Sequence, residues 1–395
     1  MFPQKITRYI LWELAKIFAI SSFGFVGMMV IIGVVQKASD PGIGPEIVLK
    51  LIPFILPEAL MFAMPATCLL SVCVVYGKMS SDNELIAVKS MGLHPSVLVM
   101  PTLFATFLLS LAAVWINDIS FAWSYWGIER VVLESSDQIV YGILRNEGSF
   151  RTESFSIEVQ GVEGRNLIRP EITFKKKEDT IRVVANQAMI EAEPENHSLV
   201  FTMIQGSAFN DQGSIRYVFP EADPEIQLKK PEQIAKATGN PSHLYLSQIE
   251  EELKIQENAN RQMQTENSVR ACGQILSGNM MGLSQDSWEI RDQDLNDSKK
   301  RLIRLKLVPH RRWANGFSCL AFAIIGIPIA TRLKTANYAS TFGVCFLPIL
   351  LIYYPLFMFG LTAAKTGALP AIAVWFGNVV CTLIGICLLW REYRS

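Results

Sequence analysis

The sequence predicts an α-helical membrane protein of six transmembrane helices, arranged 3 + 3 around an inserted all-β, jellyroll-like domain. Three observations predict this: charge is unevenly distributed, six apolar runs lack charge, and part of the centre alternates with period two. The 395 residues are 50% hydrophobic and 18% charged, with 36 Lys and Arg against 36 Asp and Glu. A soluble domain carries about 25% charged residues. The deficit is local: residues 1–117 and 313–395 hold 12 cations and 7 anions, whereas residues 118–312 hold 24 and 29. This excludes a uniform soluble enzyme, a disordered tail protein and a general nucleic-acid binder, which needs a basic excess.

A bilayer core needs about 20 apolar residues of helix. The charge-free runs of that order are Ile17–Gln36, Ala59–Gly77, Val97–Asn117, Trp313–Thr331, Thr335–Ala364 and Thr366–Trp390. The first is too long for a signal-peptide core and lacks a small-x-small cleavage site, so it is expected to be a permanent helix. Only Lys365 separates the last two, with Gly367 and Pro370 just after it. This reads as a tight helical hairpin. Pro65, Pro101, Pro328, Pro348 and Pro355 lie within the runs, as ordinary kinks or as hinges of a gate. Six of the seven Cys fall in the runs and no CxxC occurs, so neither a structural disulfide nor a zinc site is expected.

Short loops set topology by their Lys and Arg. With the N-terminus inside, the inner segments hold Lys5, Arg8, Lys78, Lys89, Arg332, Lys334, Arg391 and Arg394, and the outer ones Lys37, Lys50 and Lys365. Both termini are therefore expected inside and the middle domain outside. The basic stretch Lys299, Lys300, Arg301, Arg304, Lys306, Arg311 and Arg312 opposes this, although long domains escape the rule.

The chain then divides into residues 1–117 with the first three spans, 118–241 as the β domain, 242–307 as a polar, partly helical connector, and 308–395 with the last three spans. Residues 118–142 continue the third span as an amphipathic helix. Strands are expected at Ser154–Gln160, Ile172–Phe174, Thr180–Glu191, Leu199–Ile204 and Ile215–Phe219. There β-branched residues alternate with polar ones between turn formers. Such a series of short strands suggests a sandwich or jellyroll. From Ser242 the stretch QIEEELKIQENANRQMQTE is helix-prone, and the remainder to residue 298 has no clear period. It reads as an exposed helical or partly disordered insertion, or as an arm that docks a partner.

No GxxxxGKS/T, HExxH or GxSxG occurs, so no P-loop and no metalloprotease or hydrolase motif is present. No catalytic residue and no cofactor are assigned. Glu58 is the only acid near a span and is expected at the water-facing outer end of its helix; a secondary transporter should carry more intramembrane charge. Between the second and third spans, Ser81 or Asp82 can cap a short helix of about residues 81–92, which Gly92 ends before Pro95. It offers Glu84 as a polar group, with Leu85 and Val88 to fill a partner's groove; the plainer reading is packing at the membrane surface.

The segment LPEALMFAMPATCLLSVCVVYGKMSSDNELIAVKSMGLHP resembles the second span and coupling helix of the LptF/LptG (YjgP/YjgQ) permeases, the membrane subunits of the lipopolysaccharide exporter. RRWANGFSCLAFAIIGIPIA resembles that family's fourth span, and Gly367, Pro370, Trp375 and Asn378 its last hairpin. The likeness covers the chain except about residues 250–298, a longer stretch than the family pattern. It implies a permease paired with a second homologous permease on a cytoplasmic ABC ATPase dimer, which alone binds ATP and Mg. By motif position Glu84 makes the polar contact with that ATPase. Lipopolysaccharide would leave the inner membrane through the spans and pass by way of a periplasmic β domain to a lipid-bridge jellyroll protein. Lys37, Arg311, Arg312 and Lys50 become candidate contacts to its phosphates, their plainer role being anchoring to anionic phospholipid. A membrane sensor with a periplasmic β domain and a secondary lipid transporter are the competing readings.

Overall fold

A computed structural model describes residues 2–39, 44–151, 155–176, 179–193, 198–209, 215–219, 226–229, 241–278, 286–333 and 338–394. The helices are α1 (Phe2–Ala38), α2 (Pro45–Ser81), α3 (Glu84–Ser90), α4 (Ser96–Glu134), α5 (Ser136–Glu147), α6 (Leu246–Leu276), α7 (Asp286–Leu333), α8 (Tyr338–Pro348), α9 (Tyr354–Lys365) and α10 (Phe376–Arg394). Among the described residues, six helical segments are long and apolar enough to cross a membrane: Gln4–Ala38, Pro45–Ser81, Ser96–Ile128, Arg291–Leu333, Ser340–Lys365 and Ala371–Arg391. Each apolar run of the sequence matches one of them: the first four fall wholly inside, while Thr335–Ala364 and Thr366–Trp390 each begin five residues before their segment, residues 334–337 lying outside the described residues. The first four of these helices outrun their runs because polar flanks continue the same hydrogen-bond ladder. The longest, α7, has 48 residues. By the helical rise per residue it is roughly 72 Å long. Lys334 lies outside the described residues.

The chain forms two compact units, residues 1–29, 57–122 and 240–395 in one and residues 30–56 and 123–239 in the other. In the first, Leu69, Val72, Cys73 and Tyr76 of α2 share a core with Phe322, Ile325 and Ile327 of α7 and with Cys345, Ile349, Tyr353 and Cys381. All seven cysteines are free thiols. Helices approach most closely at glycines, as small residues allow in a bilayer. A Cβ on Gly316 of α7 would strike Val114 and the Ser110 carbonyl of α4, and one on Gly385 of α10 would strike Ile324 of α7. Gly316→Val should therefore lower unfolding free energy in detergent by about 1–3 kcal/mol; a denaturant midpoint equal to wild type would show that these helices part without cost. A π turn, Ile349–Tyr353, separates α8 from α9 between Pro348 and Pro355. Such single π turns are local bulges inside an otherwise α-helical run. The expected hairpin turns at Gly367, with φ +78°, where the Ala368 and Leu369 N–H groups both donate to the Ala363 carbonyl.

The polar connector is ordered as a helix pair over its described residues; residues 279–285 lie outside them. Within this pair Lys306 meets Glu257 at 2.9 Å, Arg301 meets Glu252 at 3.8 Å, and Gln256 donates to the Ser298 hydroxyl at 2.7 Å. The acids of QIEEELKIQEN thus offset part of the basic stretch on α7. No break separates connector from span at residue 307, since Asp286–Leu333 is one helix through Pro309.

The second unit carries an antiparallel sheet of nine described strands: β1 (Ser149–Arg151), β2 (Phe155–Glu158), β3 (Gly161–Glu163), β4 (Asn166–Ile168), β5 (Glu171–Lys176), β6 (Asp179–Glu193), β7 (Ser198–Phe209), β8 (Ile215–Phe219) and β9 (Ile226–Lys229). The order is β1-β2-β5-β6-β4-β3, with β7 beside β6 and β8 and β9 both beside β7. The long β6 meets β5 along its first half and β4 along its second. Ile157, Leu167, Ile172, Val183, Ala188 and Met203 form the core, which Val140, Tyr141 and Leu144 of the amphipathic α5 cover. The Tyr141 hydroxyl donates to the Arg165 carbonyl at 2.6 Å and accepts from the Ile190 N–H at 2.7 Å. Residues 30–56 join this unit because Ile47 and Leu51 of α2 pack on Val131 of α4.

Candidate functional site

The first candidate site is α3. Because α2 runs through Ser81 and the Asp82 N–H still donates to the Lys78 carbonyl, the two expected caps finish α2 instead of starting α3. Asn83 takes the N-cap place in the left-handed region, φ 59°, with no side-chain cap bond. Asn tolerates that conformation, so the chain turns within a single residue. At the other end Gly92 acts as expected. With φ +74° it donates to the Lys89 carbonyl at 3.0 Å, while the Leu93 N–H donates to the Val88 carbonyl at 3.3 Å. Together these bonds make a Schellman closure. The helix has seven residues, shorter than the expected stretch 81–92 at both ends.

Its faces correct the sequence expectation. Val88 is buried in the bundle core and does not face outward, whereas Leu85 packs against the same core while remaining partly exposed. Residues three apart share a helix face, and here that face is the inner one. The exposed apolar groups are Ile86, at 53%, and Met91, at 57%, the second lying just past the helix end. Glu84 is half-buried and shares a flank with Met91, seven residues on. Spacing alone does not choose between the faces; the signal is Ile86, an apolar residue off the Leu85–Val88 stripe.

The end of α2 that leads into α3 is clamped. The Tyr76 hydroxyl donates to the Leu98 carbonyl of α4 at 2.8 Å and lies 2.7 Å from the Thr102 hydroxyl. The Ser80 hydroxyl donates to the Thr331 carbonyl of α7 at 2.6 Å. Buried hydrogen bonds thus tie the end of α2 that leads into α3 to α4 and α7.

The second candidate site is built by adjacent arginines of α7. Arg312 is fully buried, ion-paired with Asp118 of α4, and its Nη2 donates to the Ser242 and Leu244 carbonyls at 2.8 and 2.7 Å. The same Asp118 oxygen accepts the Leu246 N–H at 2.9 Å. Expected as a contact to lipid phosphates, Arg312 is instead spent inside the protein, where it ties α4, α7 and the entry to α6 together. Its partner lies 194 residues away in sequence, beyond any local pattern. Arg311 stacks its guanidinium 5.0 Å from the Phe121 ring centre, within cation–π range. Burial and then the two arginines push the His243 pKa down from the usual imidazole range. Lys37, in the last turn of α1, and the exposed Lys50 of α2 belong to the other compact unit.

Comparison with curated proteins gives no match. A family model described as "Lipopolysaccharide export system permease LptF/LptG" matches residues 8–391, nearly the whole chain, six candidate spans and sheet included. The chain is a member of the LptF/LptG lipopolysaccharide export permease family.

Proposed function

We propose that this chain is the permease subunit of an ATP-driven exporter that takes lipopolysaccharide, or a similar glycolipid, out of the inner membrane. One observation carries the reading: in a chain that matches the family over residues 8–391, a short helix between two spans exposes Ile86 and Met91 beside Glu84. A cytoplasmic ABC ATPase dimer holds ATP and Mg and grips α3; this chain supplies no catalytic group. A carboxylate on such a helix pairs with a cation across the interface, and the apolar groups beside it fill the groove. When the ATPase closes, α3 moves with α2, α4 and α7 through the Tyr76 and Ser80 hydrogen bonds. A second homologous permease completes the cavity, both termini lie in the cytoplasm, and the β domain stands in the periplasm. Its open-edged, jellyroll-like sheet hands the acyl chains to a lipid-bridge jellyroll protein. Lys37, Lys50 and Arg311 meet lipid phosphates, while Arg312 positions Arg311.

Affinity purification of the tagged full chain from its host membrane tests this. The expected result is a complex with two ATPase copies whose ATP hydrolysis responds to added lipopolysaccharide. A chain that purifies alone, or that moves lipid on an ion gradient without nucleotide, would replace the proposal with a secondary transporter.

A further inference from the structure

Beside the Arg312–Asp118 pair lies a cavity of about 220 Å³ lined by Ser242, Arg304, Leu307, Val308, Arg311 and Lys365. Arg304, Leu307, Val308 and Arg311 follow i, i+3, i+4, i+7 spacing and so form one face of α7. Lys365 enters from the last turn of α9. Three of the lining side chains are cationic and none is acidic. The nearby carboxylate, Asp118, already holds Arg312 and the Leu246 N–H. Nε and Nη2 of Arg311 are buried with no hydrogen-bond acceptor among the described residues. A buried guanidinium without an acceptor is costly, and an anion relieves that cost.

We infer that this cavity is a binding site for one phosphomonoester-type anion, carried by a lipid headgroup or as free phosphate. The guanidinium fork of Arg311 suits two phosphate oxygens, and Arg304 and Lys365 supply point charge. The buried Leu307 and Val308 form an apolar floor, which strengthens both interactions. A pocket that encloses a drug-sized ligand has a volume of at least about 300 Å³. This cavity is smaller, so it takes a headgroup and leaves acyl chains outside. The inference deepens the lipid-export reading by naming a headgroup site; that reading supplies the choice of lipid probe, and the geometry stands without it.

Native mass spectrometry of the full chain in detergent, titrated with phosphatidic acid, phosphatidylcholine or inorganic phosphate, tests the site. One phosphatidic acid should bind in preference to phosphatidylcholine. Arg304 and Lys365 are exposed positions, so Arg304→Gln with Lys365→Gln leaves the fold intact. That double change should weaken binding by about tenfold or more. Arg311→Gln should do the same and Arg311→Lys less, while Lys254→Gln, at an exposed pair with Glu250 on α6, should leave it unchanged. Inorganic phosphate that competes fully with the lipid supports the site and assigns it to the free anion; phosphate that fails to compete supports it and assigns it to the lipid. Equal binding of phosphatidic acid by wild type and by the Arg304/Lys365 double variant overturns it. Loss of ATPase association with phosphate selectivity intact sinks the proposed function alone, and the reverse pattern sinks this inference alone.

Discussion

Glu84→Arg is expected to abolish lipid-dependent ATP hydrolysis while the chain stays folded and inserted. Placing a cation on that flank turns an attraction into a repulsion across the interface. Truncating one partner of a close charge pair costs about 2–5 kcal/mol of docking free energy, roughly thirtyfold or more in affinity, and reversal costs no less. The fold should tolerate the change because Glu84 makes no hydrogen bond or ion pair among the described residues and α3 is anchored by Leu85 and Val88. Ile86→Asp gives an independent check, since Ile86 is exposed at 53% and its loss removes nothing from the core. Val88→Asp is the contrast. It would put a carboxylate into the bundle core, so insertion and folding should fail together with docking. The measurement is ATPase copies retained per chain, with hydrolysis rate against lipid concentration. Full retention and wild-type lipid stimulation in Glu84→Arg would leave α3 a surface helix with no part in coupling.

The six spans are legible in the sequence because roughly 20 apolar residues without charge have few other uses. Their true ends are not, since nothing in Arg291–Val308 distinguishes a polar helix that joins a span from a separate connector. The strands visible in the sequence, such as Thr180–Glu191 inside β6, are long enough to show alternation. β1, β3 and β4 have three residues each and show none. The turn between β3 and β4 still carries a signal in Gly164, with φ +62°. It opens the two-residue connection of that hairpin. At the candidate sites, residue type is legible and orientation is not. Leu85 and Val88 are apolar enough for a partner groove, and the bundle uses them first. Arg312 is basic enough for a phosphate, and a carboxylate on another helix has already taken it. Lys365 gives no hint of a role, because the hairpin that brings it to the Arg311 cavity is a tertiary event.

Asp118→Ala is expected to be among the most destabilising single changes in the helical unit. It would leave Arg312 fully buried with its charge uncompensated, and breaking such a pair from one side costs about 3–5 kcal/mol. The Leu246 N–H would lose its acceptor at the start of α6 as well. Charge pairing and packing can be separated by a cycle. If the pair acts chiefly to neutralise itself, Asp118→Leu with Arg312→Met should recover much of the loss, because well-packed apolar groups often replace a buried ion pair at little cost. The double variant should then be stable yet bind phosphatidic acid poorly. Without the Arg312 bonds to the Ser242 and Leu244 carbonyls, that wall of the cavity loses two of the bonds that hold it beside Arg311. Unfolding midpoints in detergent for the two singles and the double decide the energetic part, and the phosphatidic acid titration decides the positioning part. A cost under about 1 kcal/mol for Asp118→Ala, the range of an exposed pair, would mean that water reaches Arg312 and that the pair organises nothing.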